Sequence, residues 1–289
     1  MKISNILEEK KVTLSFEVFP PKTDADFESV KRTADRVAEL KPDYMSATYG
    51  AGGSTSENTF AIAKSIQDNF DVTTIAHLTC VGATKTSINN SLTEMRNAGI
   101  ENILALRGDK PNWMEGEPFT DYHYASELVQ TIKEFGGFCI GGACYPEGHP
   151  DSINKSEDIE NLKKKVLAGC EFLTTQMFFD NNIYYNFLYR VRSAGIEVPV
   201  IPGIMPITRA IQVKNAIKLS GCNMPERFKS IVDRFGSDKD AMMQAGIIYA
   251  SEQIIDLIAN GINHIHIYSM NNAQVVKGIQ DNLSNIVNC

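Results

Sequence analysis

The sequence predicts an α/β chain folded as a (β/α)8 TIM barrel with an extra helix before the last strand. Eight apolar runs of strand length recur at roughly thirty-residue intervals, and helical periodicity follows most of them. Each run also stops at a polar or turn-forming residue. In barrels of this kind the C-terminal strand ends form one rim, so residues far apart in sequence converge on one enzyme site.

The runs are 12–19, 43–49, 74–80, 102–108, 139–146, 172–179, 199–204 and 264–270. They leave Glu17, Thr48, His77, Arg107-Gly108-Asp109, Tyr145, Gln176, Gly203 and Tyr268 at their ends. Helices are expected over 24–40, 56–69, 86–98, 122–135, 156–168, 181–193 and 208–219. Asp24 and Ser56 can cap helix starts, whereas Gly99, Gly136, Gly169 and Gly195 each follow a helical run, where a left-handed glycine is favoured. The interval before the last run is longer and carries an additional helix at 225–235 and a long one at 238–259. The segment before residue 12 reads as a charged helix without the apolar core of a signal peptide.

At 289 residues, with 43% hydrophobic and 22% charged, the chain is expected to form one catalytic barrel domain over 1–289. A formal charge of −7 argues against nucleic-acid and anionic-membrane partners, since only Lys163-Lys164-Lys165 forms a basic block. No run reaches membrane-span length, which points to a cytoplasmic protein. The six cysteines are scattered without CxxC pairing and read as reduced, mostly buried residues.

Phe16-Glu17-Val18-Phe19-Pro20-Pro21 places a carboxylate at a strand end between two phenylalanines. Poor solvation there would raise its pKa toward that of a general acid; the alternative is a glutamate paired with a cation in the barrel mouth. Leu104-Ala105-Leu106-Arg107-Gly108-Asp109 puts both charge signs past a buried strand, with a glycine that admits a flat polar ligand. The Gly50-Ala51-Gly52-Gly53 loop either approaches a ligand or is an ordinary βα turn.

His77 and the Tyr145–His149 stretch offer further donors and acceptors, but nothing has the spacing of HExxH, so no metal site is expected. His264 and His266 share a strand face and read as a satisfied pair near the strand start, away from the rim. Neither GxGxxG after a strand nor GxxxxGK[ST] is present, which disfavours Rossmann and P-loop nucleotide sites.

Taken in order, SFEVFPP at 15–21, TYGA at 48–51, HLTC at 77–80, LRGD at 106–109, YPEGHP at 145–150, TQMFFD at 175–180 and IPGIMP at 201–206 resemble the methylenetetrahydrofolate reductase family and are similar to its bacterial single-domain form. The resemblance runs from about residue 12 to the end. It implies FAD bound non-covalently at the rim, NADH or NADPH as hydride donor, and reduction of 5,10-methylenetetrahydrofolate to 5-methyltetrahydrofolate by ping-pong transfer through the flavin. It also implies a homo-oligomer.

By the same resemblance Glu17 is the general acid that opens the folate ring, and Asp109 steadies the resulting cation. Glu17, Asp109, Gln176 and Tyr268 would bind substrate. FAD would be held by Thr48, Tyr49, His77, Leu106, Arg107, Gly108, Asp109, Tyr124, Ala125, Ala143, Tyr145, His149, Asp158, Asn161, Lys164 and Lys165. Two positions depart from the family pattern. An aromatic usual after the seventh strand is replaced around Ala210, and an arginine usual after the last strand is Asn272. Two other readings compete: a flavin-free barrel lyase or aldolase using Glu17 or His77 as base, and a silent folate- or flavin-binding subunit of a larger complex.

Overall fold

Parallel strands cannot be joined by tight turns, so helices that cover the outside of the sheet connect each strand of this chain to the next, the broken strand at Pro202 apart. The computed structural model describes residues 1–20, 26–48, 56–110 and 114–288, apart from the side chains of 56, 57 and 219. After α1 (Ile3–Glu9) the order is β1 (Thr13–Val18), α2 (Phe27–Ala38), β2 (Tyr44–Ala47), α3 (Ser56–Phe70), β3 (Thr73–Thr79), α4 (Lys85–Asn97), β4 (Asn102–Leu106), α5 (Ala125–Phe135), β5 (Cys139–Cys144) and α6 (Lys155–Ala168). It continues with β6 (Phe172–Thr175), α7 (Asn181–Ser193), β7 (Val200–Ile201), β8 (Gly203–Ile204), α8 (Ala210–Ser220), α9 (Glu226–Phe235), α10 (Lys239–Ala259), β9 (His264–Tyr268) and α11 (Ala273–Leu283).

All the strands pair in parallel, in the order β7-β6-β5-β4-β3-β2-β1-β9-β8. The two outer members are pieces of one broken strand. Pro202 separates β7 from β8 and has no N–H for the ladder, yet its carbonyl accepts from His266 N at 3.0 Å. With β7 bonded to β6 and β8 to β9, the sheet closes as the (β/α)8 barrel the sequence predicts.

Period-two alternation sorts each strand between two cores. Leu14, Phe16, Val18, Met45, Ala76, Ile103, Leu173 and Ile267 point outward into the layer beneath the helices. Tyr44, Ile75, Leu104, Cys139, Phe172 and Ile201 point inward, where Ile3, Ile6 and Leu7 of α1 cover the bottom of the barrel. Glycine makes room for the largest of these inner side chains, because a Cβ on Gly141 would come within 2.5 Å of two Phe172 ring carbons. A third cluster, including Met177, Phe179, Met205, Phe228 and Met242, fastens α8, α9 and α10 to the ends of β6 and β8. Burial of each such side chain contributes roughly 1.5–3 kcal/mol.

Several expected boundaries move. The runs 102–108, 139–146 and 172–179 leave the ladder at Leu106, Cys144 and Thr175, so Arg107, Asp109, Tyr145 and Gln176 stand on loops above the sheet. The expected cap Asp24 lies outside the described residues, as does the side chain of Ser56. Gly99 and Gly195 adopt φ of 73° and 76° where α4 and α7 end. Helix α11, which follows the last strand, was not among the expected segments; Asn272 caps it, its Oδ1 accepting from Val275 N at 3.2 Å. The five described cysteines are buried free thiols, and burial pushes those of Cys80 and Cys170 up to about 12. Among the described residues no helix is long and apolar enough to cross a membrane.

Candidate active site

A cavity of about 600 Å³ opens at the C-terminal mouth of the barrel. On its floor lies Glu17, the last inward residue of β1 and only 6% exposed. Ser269 Oγ donates to its carbonyl, which ties β1 to the end of β9. Two residues further along, Asn271 Oδ1 accepts from Phe19 N at 2.9 Å while its Nδ2 donates to Phe19 O at 3.1 Å, which ties the loop after β1 to the loop after β9.

The surroundings of Glu17 differ from the sequence expectation. Phe16 faces the helices, as strand alternation requires, and Phe19 alone of the two phenylalanines lines the cavity. The carboxylate is instead flanked by imidazoles: Oε2 is 3.7 Å from His77 Nε2 and 3.6 Å from His266 Nε2. His266 therefore is not a residue remote from the rim. Parallel register sets it opposite Ser15, one layer beneath the Glu17–Tyr268 pair. Its companion His264 does sit at the strand start, 3.1 Å from Thr13 Oγ1.

A serine backs each imidazole. Ser46 Oγ lies 2.6 Å from His77 Nε2, and Ser15 Oγ lies 2.8 Å from His266 Nδ1. Ser15 also donates to Ile265 O at 3.2 Å. With its single hydrogen directed there, the hydroxyl is left to accept from His266 Nδ1–H. Burial, partly offset by Glu17 and reinforced by His266, lowers the pKa of His77 to about 4, so this imidazole is neutral near pH 7.

Tyr268 closes the same wall. Its hydroxyl donates to Thr175 O at 2.7 Å, and burial, then Glu17, drives its pKa well above the ordinary value. The ring needs a glycine opposite, since a Cβ on Gly203 would lie 2.7 Å from it. Gln176 accepts from Met177 N at 2.9 Å through Oε1, which leaves its NH2 without a protein partner among the described residues.

Arg107, Gly108 and Asp109 line the opposite side. Arg107 pairs with Asp151 at 2.7 Å and lies over the Phe119 ring at 4.6 Å, while its buried Nε has no partner. Tyr145 packs edge-on against His149 at 4.6 Å, and burial followed by Asp109 pushes its pKa up to about 12. Lys165 crosses β5 where Gly142 lacks a side chain and donates to Ala143 O at 2.6 Å.

The structure thus gathers Glu17, Thr48, His77, Leu106, Arg107, Gly108, Asp109, Ala125, Ala143, Tyr145, His149, Lys165, Gln176 and Tyr268 around one cavity. Tyr124, Asp158, Asn161 and Lys164 stand outside its wall. Tyr124 is an exposed residue at the start of α5, and Asn161 accepts from Lys164 Nζ at 3.0 Å on the face of α6. Asp158 takes a hydrogen bond from the His149 backbone, and its pKa is raised by burial. Tyr49 and the Gly50–Gly53 loop lie outside the described residues. Ser15, Ser46 and His266 were missed. Their signal was present in the inward parity of positions 15, 46 and 266, but it needed the strand register to become a cluster.

A barrel with an ionisable constellation on its C-terminal floor is the architecture of a barrel enzyme. The methylenetetrahydrofolate reductase family model matches residues 2–284. Methylenetetrahydrofolate reductase 1 of Schizosaccharomyces pombe (strain 972 / ATCC 24843) is 38% identical over 280 residues, 95% of this chain and 46% of that protein. The 5,10-methylenetetrahydrofolate reductase of Escherichia coli (strain K12) is 36% identical over 264 residues, 91% of this chain and 88% of that protein. This chain belongs to the methylenetetrahydrofolate reductase family. The fold is shared with an uncharacterized protein from Clostridium thermocellum that binds two copies of 5-methyl-5,6,7,8-tetrahydrofolic acid; the TM-score is 0.64 at 14% identity, covering 100% of this chain and 99% of that one.

Proposed function

We propose that this chain reduces 5,10-methylenetetrahydrofolate to 5-methyltetrahydrofolate with FAD as bound cofactor and NADH or NADPH as electron donor. Family membership supports the reaction, and the observation that carries the assignment to this cavity is Glu17, a buried carboxylate beside His77 and His266 on a floor walled by Asp109 and Gln176. A flavin fits the residues present. Leu106, Ala125 and Ala143 offer an apolar surface to a flat ring, and Arg107 keeps a buried donor unpaired beside it. When bound, FAD would accept hydride from the nicotinamide and pass it to the folate.

The chain's own part is proton handling and charge placement. Glu17 delivers a proton to the folate nitrogen whose release opens the five-membered ring, turning a poor electrophile into an iminium cation. Asp109 then supplies negative charge near that cation. Gln176, with its oxygen fixed by Met177 N, offers NH2 donors to whichever ligand occupies the cavity. His266 stands beside Glu17, its Nε2 3.6 Å from Oε2, and helps to fix the carboxyl group in place. Thr48, Tyr49, His77, Arg107, Gly108, Tyr145, His149 and Lys165 are assigned to FAD; Tyr124, Asp158, Asn161 and Lys164, outside the cavity wall, are assigned to its far end. A cytoplasmic homo-oligomer belongs to the same proposal.

The test is the visible spectrum of the purified protein followed by anaerobic titration with NADH. A flavin band that bleaches on titration and returns with methylenetetrahydrofolate supports the reading. A colourless protein that still transforms a carbonyl substrate would instead favour the flavin-free lyase. A yellow protein inert toward NADH and menadione would favour the silent subunit.

A further inference from the structure

Oxidisable sulfur is distributed unevenly over this chain. The five described cysteines are buried, and burial raises the pKa of each, so little thiolate is present near pH 7 to meet an oxidant. A thioether needs no deprotonation, and its exposure decides whether it reacts. Met1 and Met270 are the two most exposed methionines, at 63% and 38%, whereas Met177 and Met205 are 8% exposed. Met1 lies at the bottom of the barrel, where its amine pairs with Glu101. Met270 lies at the mouth, where it lines both the cavity above Glu17 and a second cavity of about 280 Å³ beside it.

The loop after β9 holds Met270 in that position. Met270 and Asn271 both have left-handed backbone, with φ of 51° and 52°, a conformation disfavoured for residues that carry a Cβ. It persists because the surrounding chain is pinned. Ser269 Oγ donates to Glu17 O and accepts from Asn271 N at 3.1 Å, and Asn272 N donates to Ser269 O at 2.9 Å. The Asn271 side chain makes its two hydrogen bonds with the Phe19 backbone. The backbone therefore cannot carry the thioether away from the cavity without breaking contacts to the strand that bears Glu17.

We propose that Met270 is a modification site, at which hydrogen peroxide oxidises the thioether to a sulfoxide and thereby slows turnover of the folate that the cavity receives. The step balances with peroxide as the only co-reactant. A sulfur lone pair attacks one peroxide oxygen, the S–O bond forms as the O–O bond breaks, and the other oxygen leaves as water after proton transfer. Sulfur is oxidised and peroxide reduced by the same electron pair. A local source of peroxide, and the effect on folate, rest on the flavin reading of the main cavity: reduced flavin that meets dioxygen in place of folate gives up a hydride equivalent, and dioxygen with one further proton becomes hydrogen peroxide. The sulfoxide then sets a polar oxygen where an apolar chain stood, on a loop pinned to Glu17 and Phe19.

The flavin-loaded protein is exposed either to a small excess of hydrogen peroxide or to NADH in air without folate, and its methionine peptides are weighed by mass spectrometry. With added peroxide, Met270 and Met1 should gain one oxygen atom before any other methionine. With NADH in air, Met270 should gain it without added peroxide. The oxidised protein should show a folate half-reaction slower by about twofold to tenfold, the range of a lost thioether contact, and methionine sulfoxide reductase should restore the rate. Met270→Leu, treated in parallel, should keep the rate it had before treatment. Oxidation of a buried methionine ahead of Met270, a Met270 sulfoxide without any change in rate, or an equal loss in Met270→Leu would each overturn the proposal. Failure of the flavin reading looks different: the protein would be colourless and inert toward NADH in air, whereas added peroxide would still mark Met270 and so support the site.

Discussion

His266 Nε2 stands 3.6 Å from Glu17 Oε2, and the strand register alone brings them together. In the parallel β1–β9 pair, Ser15 faces His266 and Glu17 faces Tyr268, so all four side chains point into the barrel in two successive layers. Ser15 orients His266 from below, and the imidazole in turn meets the carboxylate from the side. In the acid role proposed for Glu17, His266 is a polar neighbour held in place by Ser15.

Glu17→Gln preserves shape but cannot deliver a proton. It should retain the flavin and its reduction by NADH while slowing folate reduction on the order of 10²-fold or more. Stopped-flow measurement of the two half-reactions separates these effects, and an unchanged folate half-reaction would remove Glu17 from the acid role.

His266→Gln keeps a polar partner for Ser15 yet removes the imidazole beside Glu17. The folate half-reaction should slow by roughly tenfold, with flavin reduction unaffected. A folate half-reaction equal to that of wild type would show that His266 serves only to fill space.

His77 links the site to acid stability. Its pKa falls from 6.5 to about 4 in the folded protein, chiefly through burial. An unfolded chain therefore takes up a proton there first, and stability should decline as pH drops from 6.5 toward 4, with at most one proton contributed by this residue. His264, lowered in the same direction by burial, adds to the trend. His77→Gln should flatten the slope of urea midpoint against pH, compared at equal flavin occupancy. An identical slope would place the acid sensitivity elsewhere.

The barrel was readable because its βα rhythm and inward–outward alternation are local, and both survive without knowledge of packing. Glu17, Asp109 and Gln176 were readable because they end strands, and strand ends in this architecture share one rim. The triangle of Glu17, His77 and His266 was not. It depends on which residue of β9 lies opposite Ser15, a register decided by closure of the whole sheet through the break at Pro202.

One cavity of about 600 Å³ holds Glu17, Asp109 and Gln176 together with the residues assigned to the flavin. Nicotinamide and folate should therefore compete for the space above the ring, and initial-rate plots at varied concentrations of both should be parallel. Intersecting lines, or simultaneous binding in a titration, would require a second entry to the flavin.

The structure also changes the expectation attached to Ala210. A missing aromatic suggests that restoring one would add a stacking contribution of about 0.5–1.5 kcal/mol toward nicotinamide or folate. Ala210 lines neither cavity, however: its Cβ faces Gly236 at the end of α9, where even a Cβ on the glycine would come within 3.0 Å. A phenyl ring there meets α9 before it meets a ligand. Ala210→Phe should thus lower the thermal midpoint, at a cost of about 1–3 kcal/mol typical of overpacking, without tightening either ligand. Met205, which does line the main cavity, is the neighbour placed to cover a ligand, and Met205→Ala should raise the Michaelis constants instead. Tighter binding in Ala210→Phe with an unchanged thermal midpoint would mean that the α8 start turns toward the cavity when a ligand is bound.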